Sequence, residues 1–268
     1  MRLTLIQMEV RYKKPQANLD TVESLLTSCQ TPGDIVLLPE LFTSGYLFKS
    51  ATELHELAEE NTGSKTIVRL QSLARQLDTL IVAGLPEKKD NQYFNSAVAV
   101  DKDGLKACYR KISQTNIDRQ YFSRGNKPVV FEHMGIRLGI AICFDLWFPE
   151  IVREYVKQGV DVILHPANFG GQQSLHMARA RAIENDVYIA TCNRLGSEST
   201  ETISGHYCGN SQVCTPTGDY LLKLEHQEET ATTILNIDSE NPKKVIGVNL
   251  IDEMNAITEI LKTSNKES

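Results

Sequence analysis

Short apolar runs, too brief for helices, recur along this chain and outnumber the amphipathic stretches between them. Residues 3–6, 34–39, 79–84, 137–143, 161–164 and 187–192 read as strands. Helices are expected from Pro15, along Leu19, Val22, Leu26 and Cys29, and again along Ile67, Leu70, Ala74 and Leu77. Two more are expected, one opening at Pro149 and one running up to Asn185. Asp101, Lys102, Asp103 and Gly104, set between the strand-like runs 94–100 and 105–109, predict a hairpin. Residues 205–237 read as further strands, with a turn over 215–218, and the polar, aperiodic stretch 111–127 predicts a long loop. So many strands exceed one doubly wound sheet. The expectation is an α/β chain with two sheets packed together and covered by helices.

No repeat or low-complexity linker divides the sequence. Residues 1–245 therefore read as one domain, and 246–268 as a C-terminal arm or tail, the composition having turned polar and loosely helical from Ser239. A chain of 268 residues buries about three quarters of its extended surface, enough for a large core without staples. With 28 basic against 34 acidic side chains the net charge is −6, and no basic stripe stands out. That excludes a nucleic-acid footprint. No apolar run approaches the ~18 residues of a membrane span. The opening residues 1–10 turn polar too soon for an export signal and read as a first strand. The six cysteines, at 29, 108, 143, 192, 208 and 214, contain no C-x-x-C pair. They read as reduced thiols of a cytoplasmic protein, one of them open to a reactive role.

Chemistry in α/β folds gathers where buried strands end. Glu40 directly follows the strand-like 34–39, Lys111 follows 105–109, and Cys143 closes 137–143 before a helix. Singly, each has a plain structural explanation. Together they form a unit: a thiol nucleophile, a carboxylate to take its proton, and an ammonium to hold an oxyanion. The helix expected after Cys143 would favour the thiolate.

The segments ending in Leu-Leu-Pro-Glu40 and Tyr-Arg-Lys111, and the segment Cys143-Phe-Asp-Leu-Trp-Phe-Pro-Glu150, resemble the three signature motifs of the nitrilase superfamily of carbon–nitrogen hydrolases, in that family's order. The similarity covers about residues 1–250, including His165-Pro-Ala-Asn168, the run from Arg179 to Asn185, and Asn193-Arg-Leu-Gly196. The resemblance implies a four-layer α-β-β-α sandwich and a homodimer or larger homo-oligomer. It implies Glu40 as general base, Lys111 as oxyanion stabiliser, Cys143 as nucleophile and the Phe144 N–H as an oxyanion donor. It requires no metal and no organic cofactor. Two positions depart from the family's pattern. Where relatives carry Lys-x-His-Leu, this chain has Lys111, Ile112, Ser113 and Gln114, and the usual second glutamate is Asp118.

Around this core, Asp118 is expected at the pocket edge, orienting Lys111 or the substrate nitrogen; the alternative is a solvated loop charge. Tyr46 is expected to hydrogen-bond near Glu40, or else to be buried structure. Trp147 either walls the pocket or packs on the following helix, and Asn168 is a candidate substrate contact. His165 is expected to shape the pocket floor from a loop over 165–171, and His176 to start a helix; no third ligand accompanies them for a metal. Arg179, Arg181 and Glu184 read as ion-paired scaffold. The expected activity is hydrolysis of a small aliphatic ω-amide or carbamoyl compound through a thioester on Cys143. A nitrilase using the same three groups is one alternative, and a non-catalytic homologue that binds a ligand or partner is another.

Overall fold

A computed structural model describes residues 1–29, 31–238 and 243–264. The first half of the chain runs β1 (Arg2–Gln7), α1 (Pro15–Ser28), β2 (Ile35–Leu37), α2 (Ala51–Leu57), α3 (Lys65–Leu77), β3 (Leu80–Lys89), β4 (Gln92–Asp101) and β5 (Gly104–Arg110). It continues through α4 (Asp118–Tyr121), β6 (Val130–His133), β7 (Ile136–Ile140), a 3-10 turn over Cys143–Trp147, α5 (Pro149–Lys157), β8 (Val162–Ala167) and α6 (Gln172–Asn185). Then come β9 (Tyr188–Asn193), β10 (Leu195–Ser199), β11 (Ser204–Cys208), β12 (Gln212–Cys214), β13 (Tyr220–Lys223) and β14 (Glu229–Ile234). The short strands β15 (Lys244–Val245) and β16 (Val248–Asn249) precede α7 (Leu250–Ser264).

Two six-stranded sheets result, ordered β14-β1-β2-β3-β4-β5 and β13-β12-β9-β8-β7-β6. Each has three parallel strands in its middle, β1-β2-β3 in one and β7-β8-β9 in the other, flanked by antiparallel neighbours. In the first sheet, alternate residues serve opposite faces. Leu3, Leu5, Ile35, Leu37, Leu80 and Val82 turn into the core shared with the second sheet. Ile6, Val36, Leu38, Ile81 and Ala83 pack outward under Leu19, Val22, Leu26, Leu70 and Ala74 of α1 and α3. The second sheet is covered in turn by Val152 and Val156 of α5 and by Leu175, Ala178 and Ala182 of α6. The order helix, sheet, sheet, helix is the four-layer α-β-β-α sandwich expected. Among the described residues, no helix is long and apolar enough to cross a membrane.

Several boundaries differ from the sequence reading. The strand expected over 137–143 stops at Ile140, and Cys143 opens the 3-10 turn instead. β3 passes Gly84 and reaches Lys89, turning into β4 through Asp90 and Asn91, both at positive φ. That is the geometry of a two-residue hairpin turn. The long loop over 111–127 contains the single turn α4. The segment α2 and strand β6 had no counterpart in the reading. His165, Pro166 and Ala167 belong to β8, not to a loop, and His176 lies within α6, which starts at Gln172. The tail expected from Ser239 begins outside the described residues; its later part is the helix α7.

Candidate active site

Glu40 and Cys143 follow the parallel strands β2 and β7, and Lys111 follows the antiparallel strand β5. Glu40 lies just past β2, on a backbone pressed against β3: a Cβ added at Gly84 would meet Glu40 Cα at 2.6 Å. Lys111 is the first residue after β5, and Cys143 follows β7 with φ +46°. A side chain held at positive φ as a strand passes into a turn occupies a strained backbone conformation. Cys143 keeps 9% of its surface exposed, whereas Glu40 and Lys111 are buried.

Lys111 Nζ donates to Glu40 Oε1 at 2.9 Å and to Asp118 Oδ2 at 2.9 Å. Asn95 Nδ2 donates to the same Glu40 oxygen at 2.7 Å and to Asp118 Oδ1 at 3.3 Å. Asp118 also accepts from the Thr115 N–H at 2.9 Å and its hydroxyl at 3.0 Å. The Tyr46 hydroxyl meets Thr115 Oγ1 at 2.5 Å, and the Tyr46 ring lies under Lys111 Nζ, 5.6 Å from its centroid. Tyr46 is buried, and its hydroxyl bonds to Thr115, which in turn bonds to Asp118 beside Lys111. Asp118 is no solvated charge; it is buried against the lysine.

Electrostatics separate the roles. Burial, reinforced by Asp118, pushes the Glu40 carboxyl above its ordinary range despite Lys111. Burial alone would lower Lys111, but Glu40 and Asp118 outweigh it and hold the ammonium well above its usual value. Burial would raise Asp118, but Lys111 and the Thr115 N–H hold it below the usual range, as a fixed anion. Burial and then Glu40 raise the Cys143 thiol well above normal, against Lys111 and the Asn168 N–H. Burial and Glu40 override the help expected from a helix end; Cys143 itself opens a five-residue 3-10 turn. Cys143 rests as a thiol, next to a carboxylate with raised proton affinity.

The remaining expected residues sort as follows. The Phe144 N–H makes no hydrogen bond among the described residues. Asn168, with its amide nitrogen turned toward them, donates to the carbonyls of Ala167 (3.1 Å) and Glu40 (3.2 Å), so its side chain holds the Glu40 backbone. Trp147 is 39% exposed; its ring neighbours Phe144 at 6.1 Å and its N–H donates to Ser174 Oγ at 3.3 Å. Arg181 pairs with Glu184, but Arg179 caps the Gly218 carbonyl instead. Sequence reasoning missed three supports. Asn95 was hidden mid-strand. Asp145 lies inside the cysteine motif and accepts from the N–H groups of Ile142 and Ser113 and from the Tyr109 hydroxyl, each at 2.8 Å. Glu198, paired with buried Arg194, accepts the N–H groups of Tyr46 (2.9 Å) and Leu47 (2.8 Å) and so fixes the loop after Glu40.

Among the described residues, no group of three or more His, Cys, Asp or Glu is placed to hold a metal ion. Two surface clefts of about 690 and 680 Å3 are lined by none of Glu40, Lys111 and Cys143. A groove of about 360 Å3, lined by Leu47, Phe48, Ile117, Tyr121 and Ile203, begins one residue from Tyr46 and from Asp118.

Residues 2–245 match the family model described as carbon–nitrogen hydrolase. The chain is 31% identical over 252 residues to a nitrilase of Pyrococcus abyssi, covering 93% of this chain and 95% of that one. It is 30% identical to the 2-oxoglutaramate amidase of Bacillus subtilis, covering 84% and 87%. Its fold is similar, with a TM-score of 0.75 and 27% identity over 89% of this chain and 94% of the other, to a variant of the amidase from Nesterenkonia sp. AN1 that shows Michael addition of acrylamide at its active-site cysteine.

Proposed function

The chain belongs to the carbon–nitrogen hydrolase family of the nitrilase superfamily, and on that premise we propose that it is a thiol-dependent amidase acting on a small aliphatic ω-amide or carbamoyl-type compound. The observation that carries the reading is the Lys111 ammonium set 2.9 Å from each of two buried carboxylates, beside the turn that bears Cys143. In this reading Glu40 takes the thiol proton as the sulfur attacks the amide carbon. The oxygen becomes an oxyanion held by Lys111 Nζ–H and the Phe144 N–H. Collapse expels the nitrogen, to which Glu40 returns the proton, so ammonia leaves and a thioester remains on Cys143. A water then gives its proton to Glu40 and attacks the thioester, releasing the carboxylic acid and restoring the thiol.

The limited opening over Cys143 and the small groove beside Tyr46 support a small substrate. The amidase of B. subtilis named above supports an amide. The P. abyssi nitrilase favours a second reading, in which the same thiol adds to a nitrile through a thioimidate. Against a non-catalytic role stands the retention of all three groups, with Lys111 paired to Glu40 and both charges felt by the Cys143 thiol. Trp147, with Phe144, would form the rim of the acyl side. We further assign residues 1–245 as the hydrolase domain and 246–268 as an arm of a cytoplasmic homodimer. The exposed Ile246, Val248 and Ile257 support the arm, and six free thiols support a reducing compartment.

The test is ammonia release from a panel of amides and nitriles, with mass-spectrometric trapping of the acyl group on Cys143. Turnover that leaves no adduct on Cys143 would remove the thioester route.

A further inference from the structure

His165 is a buried titratable residue that the reaction above does not use. It stands in β8 with no exposed surface, and both ring nitrogens are engaged. Nε2 lies 3.0 Å from the Cys143 carbonyl oxygen and Nδ1 lies 3.0 Å from Thr191 Oγ1. A carbonyl oxygen only accepts, so Nε2 carries the proton and Nδ1 accepts from the threonine hydroxyl. The ring of Phe169 packs on the imidazole at 5.5 Å. Burial pushes the imidazole pKa down to about 3, so the ring stays neutral through the working range of pH.

The Cys143 carbonyl and the Phe144 N–H are the two ends of one planar peptide unit. Fixing the direction of one fixes the other, pointing the opposite way. This peptide needs fixing, because Cys143 holds a positive φ that a side-chain-bearing residue rarely adopts. The residue before it is already tied: the Ile142 N–H donates to Asp145 Oδ2 at 2.8 Å and its carbonyl accepts from the Asp145 N–H at 2.9 Å. A hydrogen bond on the carbonyl also polarises the peptide and strengthens its N–H as a donor.

We propose, resting on the amidase reading, that His165 is a positioning residue that aims and strengthens the Phe144 N–H toward the oxyanion by holding the Cys143 carbonyl. It touches neither the thiol nor the substrate. Its effect belongs to transition-state stabilisation and so to kcat, not to KM.

Two variants and one control reaction test this. His165→Leu removes the donor at similar volume, and His165→Gln can place an amide N–H where Nε2 stood. Losing a direct oxyanion donor costs on the order of a hundredfold to a thousandfold in kcat. Losing the group that orients one is expected to cost about tenfold to a hundredfold in the Leu variant, with KM within about twofold and substantial rescue in the Gln variant. Alkylation of Cys143 by iodoacetamide displaces iodide at a saturated carbon and builds no oxyanion, so its rate is expected to stay within about twofold of wild type. An unchanged kcat in the Leu variant overturns the proposal. So does alkylation that falls in step with kcat, or a Gln variant no better than Leu.

Should the Leu variant fail to fold, nitrogen-15 NMR of the wild-type ring still decides. A neutral Nε2–H tautomer, with a Phe144 amide proton that shifts in the Gln variant, is the expected result. An Nδ1–H tautomer overturns the proposal. A wild-type protein that hydrolyses neither amides nor nitriles would end the amidase reading, and the same two NMR observations would then judge His165 alone.

Discussion

The Asp118 carboxylate stands as close to Lys111 Nζ as Glu40 does, 2.9 Å on either side of one buried ammonium. The arrangement answers a problem within the proposed cycle. When Glu40 takes the thiol proton it becomes neutral and no longer compensates the lysine. A buried ammonium without a counter-ion is costly and loses its proton. Asp118, held anionic, keeps Lys111 charged at the moment the oxyanion forms.

Asp118→Asn should therefore lower kcat by on the order of tenfold to a hundredfold, as misplaced catalytic groups do. Steady-state kinetics on the best amide found checks it. A rate within twofold of wild type would take Asp118 out of the site.

The pH profile carries a second sign. The proposed base must be ionised in the resting enzyme, so kcat/KM should fall as pH drops through the folded-state pKa of Glu40. Burial and Asp118 raise that value, so the acid limb should lie above the ~4.3 of a free glutamate. Removing the Asp118 charge should move the limb of the Asn variant to lower pH. A limb that stays put or rises would mean that another group controls it.

Stability should respond to the two carboxylates in opposite directions. Asp118 has a depressed folded pKa, so it contributes stability above the unfolded pKa and loses it as pH falls through the folded one. Glu40 has a raised folded pKa, so its ionisation opposes folding at neutral pH and the penalty vanishes in acid. Thermal melts at pH 7 should show Asp118→Asn below wild type. Glu40→Gln should be level with it or above, although inactive in both acylation and thioester hydrolysis. Equal losses in both variants would contradict this assignment.

Cys143→Ala should abolish turnover and leave the fold intact. Trimming one sulfur from a buried site costs about 1 kcal/mol, which shifts Tm by roughly 2–4 °C in a chain of this size. Rate assays and calorimetry on the same sample separate the two effects.

Glu40, Lys111 and Cys143 were legible in the sequence because each sits in a contiguous motif at a strand end, and Asp118 because the family resemblance places a second carboxylate there. The groups that hold them were not, since they act across the fold. Asn95 reaches Glu40 from 55 positions away, and Glu198 reaches Tyr46 from 152. The direct contact of Tyr46 with Thr115 also depends on how the 111–127 segment folds back, and nothing in that polar stretch encodes it locally. The two-sheet architecture followed from the number of strands, but the length of β3 did not. Pro86 reads as a strand end. It is tolerated because β2 pairs only with Leu80, Ile81 and Val82; beyond them that edge meets the isolated bridge of Glu59, where Pro86 only accepts, from the Glu59 N–H at 3.1 Å.

Gly84 gives the last prediction, because it joins that strand to the chemistry. Its missing side chain lets the backbone of Pro39, Glu40 and Leu41 lie against β3. A Cβ there would come within 2.6 Å of Glu40 Cα and Leu41 N and within 2.8 Å of the Pro39 carbonyl oxygen. All three are backbone atoms, so no rotamer change relieves the clash; the segment itself has to move. Overpacking of this kind costs about 1–3 kcal/mol. The larger consequence is for the carboxylate, whose 2.7 Å and 2.9 Å hydrogen bonds to Asn95 and Lys111 depend on where the chain leaves β2. A shift of about 1 Å in a catalytic group can cost on the order of a hundredfold in rate. Gly84→Ala should therefore lose far more activity than stability when kcat is measured well below its own Tm. A folded variant with wild-type kcat would mean that the close approach serves packing alone and that Glu40 is positioned by its hydrogen-bond partners.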